Sequence, residues 1–574
     1  MLERKRKPHF PDEIMYAFRD VKLSAEYLPT YIELFSGYSE LNKLTVKKNQ
    51  IIFGRRGTGK SHFLKAFNQK INNDLETNIC STYISCLDFV GTSENMGSYV
   101  YEKKYYNIAS EYYKKFLEKF CEHLMDHPKF WEIAKNKKET ESIYSIMVNE
   151  IMKGSETVKE RIKIKVVEKS KKTTRGFLGG LSLSKLFSAG ASIESESEKN
   201  NDDKEIINIY YKTDLSKVRE LIDNMLTKAD IERLYICIDE WSELDKSCNT
   251  PIQQYFAQRL KQTFFKSQRV SVKIASIWSL TEMNSKEMDG RFFGGIELGQ
   301  DIYKGFDLDT LFFNDKTSIE KFLRTIIYKR FIYASNTDTK EIFQKLQGKE
   351  GFDPKEFLIK EIFDSNEAFN ALVSASHGIP RDFLELFDLC LHEIRDIREN
   401  RITTPLVIEV SADFYKSTKR NLISGNEILI SFVDIIDSYL EKTNERFFIL
   451  KNGDVKDSSE IKELVDKRFL HQLPTQLIDR KIRNKYKVFL IDYGCLWDWR
   501  QSKKIVLDKG VISPVLNLTE EQISNIDNYI LSLDGFSKVY LHCNECKRTF
   551  FSSHNIYVKH KMCPHCGEYI NFVK

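Results

Sequence analysis

The sequence predicts an α/β fold built on a parallel sheet, and three stretches of the chain predict it. Residues 51–53 are a short apolar run, followed by a glycine-rich turn and then by a helical stretch. Residues 79–86 alternate in polarity as a second strand would. Residues 234–238 form another apolar run, and two acidic residues follow it. Strands that are separated by helical stretches favour a parallel sheet.

The glycine-rich turn carries the strongest chemical signal. Residues 54–61 match G-x-x-x-x-G-K-S, the Walker A pattern, between a predicted strand and a predicted helix. The glycines allow the backbone N–H groups to converge on phosphate oxygens, and the helix adds its positive N-terminal dipole. We expect Lys60 to reach the β- and γ-phosphates and the Ser61 hydroxyl to bind Mg²⁺. The predicted ATP-binding residues are Gly54, Arg55, Arg56, Gly57, Thr58, Gly59, Lys60, Ser61 and His62.

The acidic pair after the third strand fits the Walker B pattern. Asp239 would hold Mg²⁺ through water, and Glu240 would activate the attacking water as general base. The adjacent glutamate favours the hydrolytic branch of P-loop proteins, which has an extra strand between the two motif strands. Residues 270–278 predict that strand, but its end lacks the asparagine often found there; Ser279 or Thr281 is the nearest substitute.

Size and composition set further bounds. A chain of 574 residues predicts two to four domains, and a net charge of +5 is too small to indicate nucleic-acid binding by itself. No apolar run is long enough for a transmembrane helix, and the basic N-terminus lacks the apolar stretch of a signal peptide. Most cysteines are scattered, which favours a reducing cytoplasm, and we expect no membrane contact.

An inserted module is predicted between the two motifs, at about residues 97–230. Its first part, to residue 153, is helical and rich in tyrosine and lysine. Such a stretch could bind single-stranded nucleic acid, but an amphipathic helix with a buried aromatic face is favoured. The basic block 159–175 and the acidic block 194–205 flank a glycine-rich apolar patch. These blocks predict a mobile, self-neutralising loop or a surface that faces a partner or DNA.

Together the motifs resemble the AAA+ ATPases, and among them the initiator-like branch related to origin-recognition proteins. The resemblance covers about residues 25–420 and includes Ser376-His377-Gly378-Ile379-Pro380-Arg381-Asp382-Phe383, which looks like the family's sensor 2 motif. It implies a helical lid whose Arg381 reaches the nucleotide phosphates. It also implies a homo-oligomer in which Arg291 enters the neighbouring subunit's site. The long separation of Lys60 from Asp239 and the missing sensor 1 depart from the family pattern.

The C-terminal third predicts two small modules. A periodic helix is predicted at 427–440. The strands predicted at 447–450, near 470–478 and at 485–491, with a helix at 459–468 and a basic turn at 479–485, resemble a winged helix, although a solvated hairpin explains the charges of the turn equally well. The spacing of Cys543, Cys546, Cys563 and Cys566, C-x₂-C…C-x₂-C, predicts a Zn²⁺ site in a zinc ribbon.

The predicted domains are a helical lead-in (1–45), an ATPase core (46–310), a lid (311–422), a winged-helix-like domain (423–535) and a zinc ribbon (536–574). Two functions follow. One is an initiator-like ATPase that acts on DNA through its C-terminal modules. The other is a signalling or phage-defence ATPase in which ATP controls assembly and the tail binds a protein partner. A remodelling motor ranks third, because no substrate-gripping pore loop is apparent.

Overall fold

The structure is a computed structural model in which the chain forms two compact units. The sheet unit is Tyr38–Phe53 and Lys60–Phe306; the lid unit is Met1–Gly37, Gly54–Gly59 and Asp307–Lys574. The described residues are 28, 30–90, 101–153, 158–165, 191–196, 203–210, 214–245, 251–286, 292–309, 316–335, 340, 353–397, 401–426, 429–430, 432–434, 436, 447–451, 459–478, 485–497, 530–531, 540–543, 545, 549–551 and 562–563.

Fifteen strands and twelve α-helices make up the described chain. The strands are β1 Gln50–Phe53, β2 Ile79–Ser85, β3 Val158–Lys165, β4 Ala191–Glu196, β5 Asp203–Tyr210, β6 Arg233–Asp239, β7 Val270–Ser276, β8 Asn284–Lys286, β9 Phe292–Gly295, β10 Tyr303–Asp307, β11 Phe447–Lys451, β12 Leu470–Ile478, β13 Lys485–Ile491, β14 Tyr540–His542 and β15 Thr549–Phe551. The helices are α1 Lys60–Asn73, α2 Tyr101–Met125, α3 Pro128–Ile133, α4 Lys137–Lys153, α5 Leu215–Lys228, α6 Ile252–Leu260, α7 Lys316–Ala334, α8 Pro354–Ile362, α9 Asn366–Ala375, α10 Pro380–Ile397, α11 Thr404–Phe414 and α12 Ser459–Asp466.

The sheet unit is organised around a five-stranded sheet of order β10-β1-β7-β6-β2. The pairs β1–β7, β7–β6 and β6–β2 are parallel. Strand β7 is buried along its whole length and lies between β1 and β6. This confirms the predicted extra strand between the two motif strands, and the α/β prediction is confirmed with it.

Helix α2 packs its aromatic side chains into the core of the sheet unit. Tyr113 and Phe116 are buried, and both rings contact Phe256 of α6 edge-on. Phe89 stacks on Phe256 from the other side. The amphipathic interpretation of this stretch is therefore confirmed at these positions. Rings that are packed in this way cannot stack on nucleobases.

The two charged blocks of the insertion contribute strands. Strands β3, β5 and β4 form an antiparallel sheet of order β3-β5-β4. The prediction of a loop was therefore wrong for these segments. In the register of β3 and β5, Lys163 is opposite Glu205, and Lys165 is opposite Asp203. Residues 166–190, which include the glycine-rich patch, lie outside the described residues.

The lid unit combines helices α7 to α11 with a second small sheet. Strands β11, β13 and β12 are antiparallel in that order, and helix α12 lies between β11 and β12 in the chain. The strands and the helix appear where the winged-helix pattern predicted them. The basic turn 479–484 and most of the predicted helix 427–440 lie outside the described residues.

The N-terminal lead-in differs from its prediction. Residues 31–36 form turns, and among the described residues of the lead-in only Tyr38–Leu44 is helical, as a 3₁₀ helix. The carbonyl oxygen of Phe35 accepts a hydrogen bond from Nζ of Lys329 at 2.5 Å, so a side chain takes the acceptor that a helix would use. No helix in the part of the chain that the structure describes is long and apolar enough to cross a membrane.

Candidate functional site: a phosphate-binding loop and an acidic strand end

The glycine loop bends as the Walker A pattern requires. Gly57 and Gly59 have φ values of 87° and 92°, a left-handed conformation that only glycine adopts without strain. Helix α1 begins at Lys60 with no acidic residue in its first turn, so the positive end of its dipole favours an anion. A Cβ at Gly59 would meet no described atom within 4 Å. The loop therefore has open space at Gly59, where a phosphate would approach.

The arginines of the loop are held by acidic partners. Asp309 accepts hydrogen bonds from both N and Nε of Arg55, each at 2.8 Å. Nε of Arg56 donates to Asp466 at 2.9 Å. Both guanidinium groups therefore anchor the loop, and the N–H of Arg55 is occupied. The hydroxyl of Thr58 closes the turn by donating to the carbonyl oxygen of Arg55 at 2.9 Å.

The predicted lid helix starts against the same loop. Helix α10 begins at Pro380, as the sensor 2 pattern predicted, and the N–H of Arg381 donates to the carbonyl oxygen of Gly57 at 3.3 Å. A Cβ at Gly57 would lie 2.9 Å from Cγ2 of Ile379 and 3.0 Å from Cβ of Arg381. The Arg381 side chain is exposed and has no carboxylate partner among the described residues. Its charge therefore remains available to an anion.

In the sheet unit, the strand register brings the motif residues to one edge. Phe53 pairs with Ser276, and Ile238 pairs with Ile274, so β1, β7 and β6 end at the same level. Asp239 is 1% exposed at the end of β6, and Lys60 is 8% exposed at the start of α1. Ser61 and His62 follow Lys60 and are half-buried.

Asp239 is oriented by two donors. The hydroxyl of Tyr83 donates to Oδ2 at 2.6 Å, and the N–H of Glu240 donates to Oδ1 at 2.8 Å. Burial and the charge of Asp239 raise the pKa of Tyr83 far above its usual range, so the hydroxyl remains a donor. Each carboxylate oxygen keeps a lone pair beyond these bonds. The donor set therefore fits a hydrated Mg²⁺.

Glu240 adopts a strained backbone conformation. Its φ and ψ are 53° and 40°, in the left-handed region that non-glycine residues rarely enter. Strain of this kind concentrates at functional sites. The next residue, Trp241, is fully buried and donates to Gln253, so the turn that carries Glu240 is fixed from its other side.

Gln253 connects the chain segments that follow β6 and β7. Its amide nitrogen donates to the carbonyl oxygens of Asp245 and Leu280, and its amide oxygen accepts from the N–H of Glu282. At the end of β7, the hydroxyls of Ser276 and Thr281 lie 2.6 Å apart. Thr281 also donates to the carbonyl oxygen of Ile277. The predicted substitute for sensor 1 is thus already engaged in hydrogen bonds within the chain.

The zinc prediction falls partly on described residues. Strands β14 and β15 pair as an antiparallel hairpin, and Cys543 follows β14 directly. Cys543 and Cys563 are both buried. Cys543 and Cys563 are two of the four thiols that the sequence predicts as Zn²⁺ ligands, and the other two stay a prediction. Cys546, Cys566 and Arg291 lie outside the described residues.

Several positioning residues have no sequence signal. No sequence motif includes Tyr83, Gln253 or Asp309, because each acts through a partner that is distant in the chain. Tyr83 alone could have been suspected, since it lies in a strand predicted to neighbour the acidic one.

No protein-family model and no curated protein matches the chain. Among solved structures, it is similar to the Walker-type ATPase PABY2304 of Pyrococcus abyssi, with 12% identity, 80% of this chain and 95% of that chain covered, and a TM-score of 0.33. The structure of the Aeropyrum pernix ORC1 protein in complex with DNA has 10% sequence identity to this chain and a TM-score of 0.29, with 83% of this chain and 97% of that chain covered. The structure of Drosophila ORC bound to DNA has 11% sequence identity to this chain and a TM-score of 0.30, with 88% of this chain and 96% of that chain covered. These similarities assign no family to the chain.

Proposed function

We propose that the protein binds and hydrolyses ATP with Mg²⁺. The observation that carries the proposal is the edge of the sheet, where a helix that starts at Lys60 and the buried carboxylate of Asp239 follow strands β1 and β6. The glycine loop and the N-terminus of α1 would hold the phosphates. Lys60 would contact the β- and γ-phosphates, and Arg381 would contact the γ-phosphate bound at the loop.

Asp239 and Ser61 would hold Mg²⁺, which neutralises charge on the phosphates when bound. Glu240 accepts a proton from water as the water oxygen attacks the γ-phosphorus, and the bond to the β-phosphate oxygen breaks to give ADP and phosphate. The backbone of Glu240 is fixed by the hydrogen bond of the next residue, Trp241, to Gln253.

Nucleotide binding by a Lys60→Ala variant tests the first step. We expect it to abolish ATP binding measured by calorimetry, because a phosphate-binding charge is removed. Lys70→Ala, on the same helix α1, is the matched control and should bind as the wild type does. Equal binding by all three proteins would refute the phosphate site.

We further propose that the C-terminal modules contact DNA. The pairing of strands β12 and β13 extends to Ile478, which lies opposite Lys485. The six residues that connect the two strands include Arg480, Lys481 and Arg483. Cations at this connection would contact phosphates. The cysteines Cys543, Cys546, Cys563 and Cys566 would hold a structural Zn²⁺ in the following module.

Fluorescence anisotropy on duplex DNA across a salt series tests this proposal. Replacing the three cations by glutamine should reduce the salt slope by about 2 to 3, since each phosphate contact contributes about 0.9. Neutralising Lys416 and Arg420, two exposed cations of the same unit, is the control. Absent or salt-insensitive binding would favour the alternative, an ATP switch that binds a protein partner.

Assembly is the last part of the proposal. In a homo-oligomer, Arg291 would enter the site of the neighbouring copy and promote hydrolysis. Mass photometry with ATP and with ADP should show larger assemblies with ATP. Arg291→Ala should lower the rate of hydrolysis without weakening ATP binding, and an unchanged rate in the assembled protein would exclude this role.

A further inference from the structure

The end of helix α12 contacts both the glycine loop and the start of helix α10. Asp466, the last residue of α12, accepts the hydrogen bond from Arg56, and these side chains are 26% and 31% exposed. Two residues later, Arg468 forms an ion pair with Asp382 in the first turn of α10. Asp382 follows Arg381 directly. One short segment therefore holds the loop and the helix that carry the proposed phosphate contacts.

The backbone at Arg468 adopts a conformation that non-glycine residues rarely enter. Phe469 N donates to the carbonyl oxygen of Leu464, and Arg468 N donates to that of Val465, which is the Schellman pattern at the end of a helix. Arg468 has a φ of 64°, where glycine is preferred. His377 occupies the equivalent position after α9, with a φ of 51°.

Arg468 and His377 both contact one buried cluster of charged side chains. Asp382 and Asp492 share the ammonium group of Lys419, which lies 3.3 Å from Oδ2 of Asp382 and donates to Asp492. Burial lowers the pKa of Lys419, but the charges of Asp492 and Asp382 outweigh it and leave the pKa above its ordinary value. With Arg468, the cluster holds two cations and two carboxylates. A balanced cluster of this kind is rigid, because breaking one pair leaves a buried charge.

Two histidines extend this cluster towards the sheet of the lid unit. The rings of His377 and His471 stack with centroids 3.8 Å apart, and Nε2 of His471 lies 3.3 Å from Asp492. Nε2 of His377 accepts the N–H of Tyr493 at 3.0 Å. The side chains of His377, His471 and Asp492 are of types that bind metal ions, and their ligand atoms lie close enough together to hold one. However, Nε2 of His377 already accepts the N–H of Tyr493, and the ammonium group of Lys419 already neutralises Asp492.

We propose that Asp466 and Arg468 are positioning residues for nucleotide binding, and that the small domain built on β11 to β13 sets nucleotide affinity through them. This inference rests on the proposed function. Asp466 fixes the glycine loop through Arg56, and Arg468 fixes the start of α10, and with it Arg381, through Asp382. By linkage, a DNA or protein partner that moves α12 changes nucleotide affinity, and the nucleotide changes partner affinity by the same factor.

The Asp466→Asn variant tests the inference by calorimetric titration with ATP and with ADP. Glu463→Gln is the matched control, because it removes a carboxylate from the same helix that pairs only with Lys467 among the described ion pairs. We expect Asp466→Asn to raise the Kd for ATP about threefold, the effect typical of a half-exposed ion pair. The Kd for ADP should change less, because Arg381 is assigned to the γ-phosphate. Asp466→Glu, which keeps the charge, should restore most of the affinity.

The change in the ratio of the two Kd values separates positioning from a general loss of stability, which would weaken both nucleotides alike. If Asp466→Asn and Glu463→Gln both match the wild type while the wild type binds ATP, the inference is overturned. If the wild type does not bind ATP, the proposed function fails first and the inference falls with it. A failure of the proposed function therefore appears in the wild type, whereas a failure of the inference appears in the Asp466→Asn variant.

Discussion

The hydroxyl of Tyr83 is predicted to set the affinity of the site for Mg²⁺. Tyr83→Phe keeps the ring and its volume and removes only the donor that lies 2.6 Å from Oδ2 of Asp239. A hydrogen bond to a charged group contributes about 1.5–3 kcal/mol, and Asp239 is too buried for water to replace the lost donor fully. We therefore expect a loss of unfolding free energy of about that size in the absence of Mg²⁺.

The effect on metal binding should be larger than the effect on ATP binding. Partners that orient a metal ligand typically contribute about 10- to 100-fold in metal affinity or activity. We expect the Mg²⁺ concentration for half-maximal ATP hydrolysis to rise about tenfold, the lower end of that range, because the N–H of Glu240 still orients the carboxylate.

Tyr235→Phe is the control for this experiment. Tyr235 lies on β6, and its hydroxyl also donates at 2.6 Å, but to the neutral carbonyl oxygen of Thr45. The assay is phosphate release against Mg²⁺ concentration, with urea unfolding of each protein. If the two variants show the same Mg²⁺ dependence, Tyr83 does not act through Asp239 and the reasoning is refuted.

Three other predictions concern the loop, a buried lysine and the metal. Both Gly59→Ala and Gly57→Ala should abolish ATP binding. Gly57→Ala should also unfold at a lower urea concentration than Gly59→Ala, because only the Cβ at position 57 would meet described atoms, at 2.9 Å. Equal urea midpoints of the two variants would contradict this. Burial lowers the pKa of Lys273 from 10.5 to about 7. Between these pH values the unfolded chain binds more protons than the folded chain does. The free energy of unfolding should therefore rise with pH in this range, by at most about 1.4 kcal/mol per pH unit. Lys273→Met should flatten this slope and exposed Lys266→Met should not; an unchanged slope would exclude Lys273 as its source. Elemental analysis should find about one Zn²⁺ per chain and less after Cys563→Ser, and a metal-free wild type would rule out the ribbon.

The sequence predicted the parts of the fold that have a local signature. Alternating strands and helices, the strand between the two motifs and the proline that starts α10 each follow from residues that are close in the chain. Side-chain burial in α2 could also be predicted, since the spacing of Tyr113 and Phe116 places them on one helical face. The strands β3 and β5 were missed because charge was taken as a sign of a loop, although lysines and acidic residues can face each other across a ladder.

The supporting contacts of the site could not be predicted in the same way. Arg55 and Asp309 are separated by 254 residues, and Arg56 and Asp466 by 410. Neither acidic residue belongs to a motif, and only the folded chain brings them to the loop. The left-handed conformation of Glu240 is also invisible in the sequence, because it depends on how the turn before Trp241 is packed.

Hydrolysis by a Glu240→Gln variant tests the central claim most directly. This change keeps the side-chain volume and the backbone strain while it removes the proton acceptor. We predict that the variant binds ATP as tightly as the wild type does, whereas single-turnover phosphate release falls by about 10²- to 10⁴-fold, the usual contribution of a general base. Release at the wild-type rate, with ATP bound, would contradict the account.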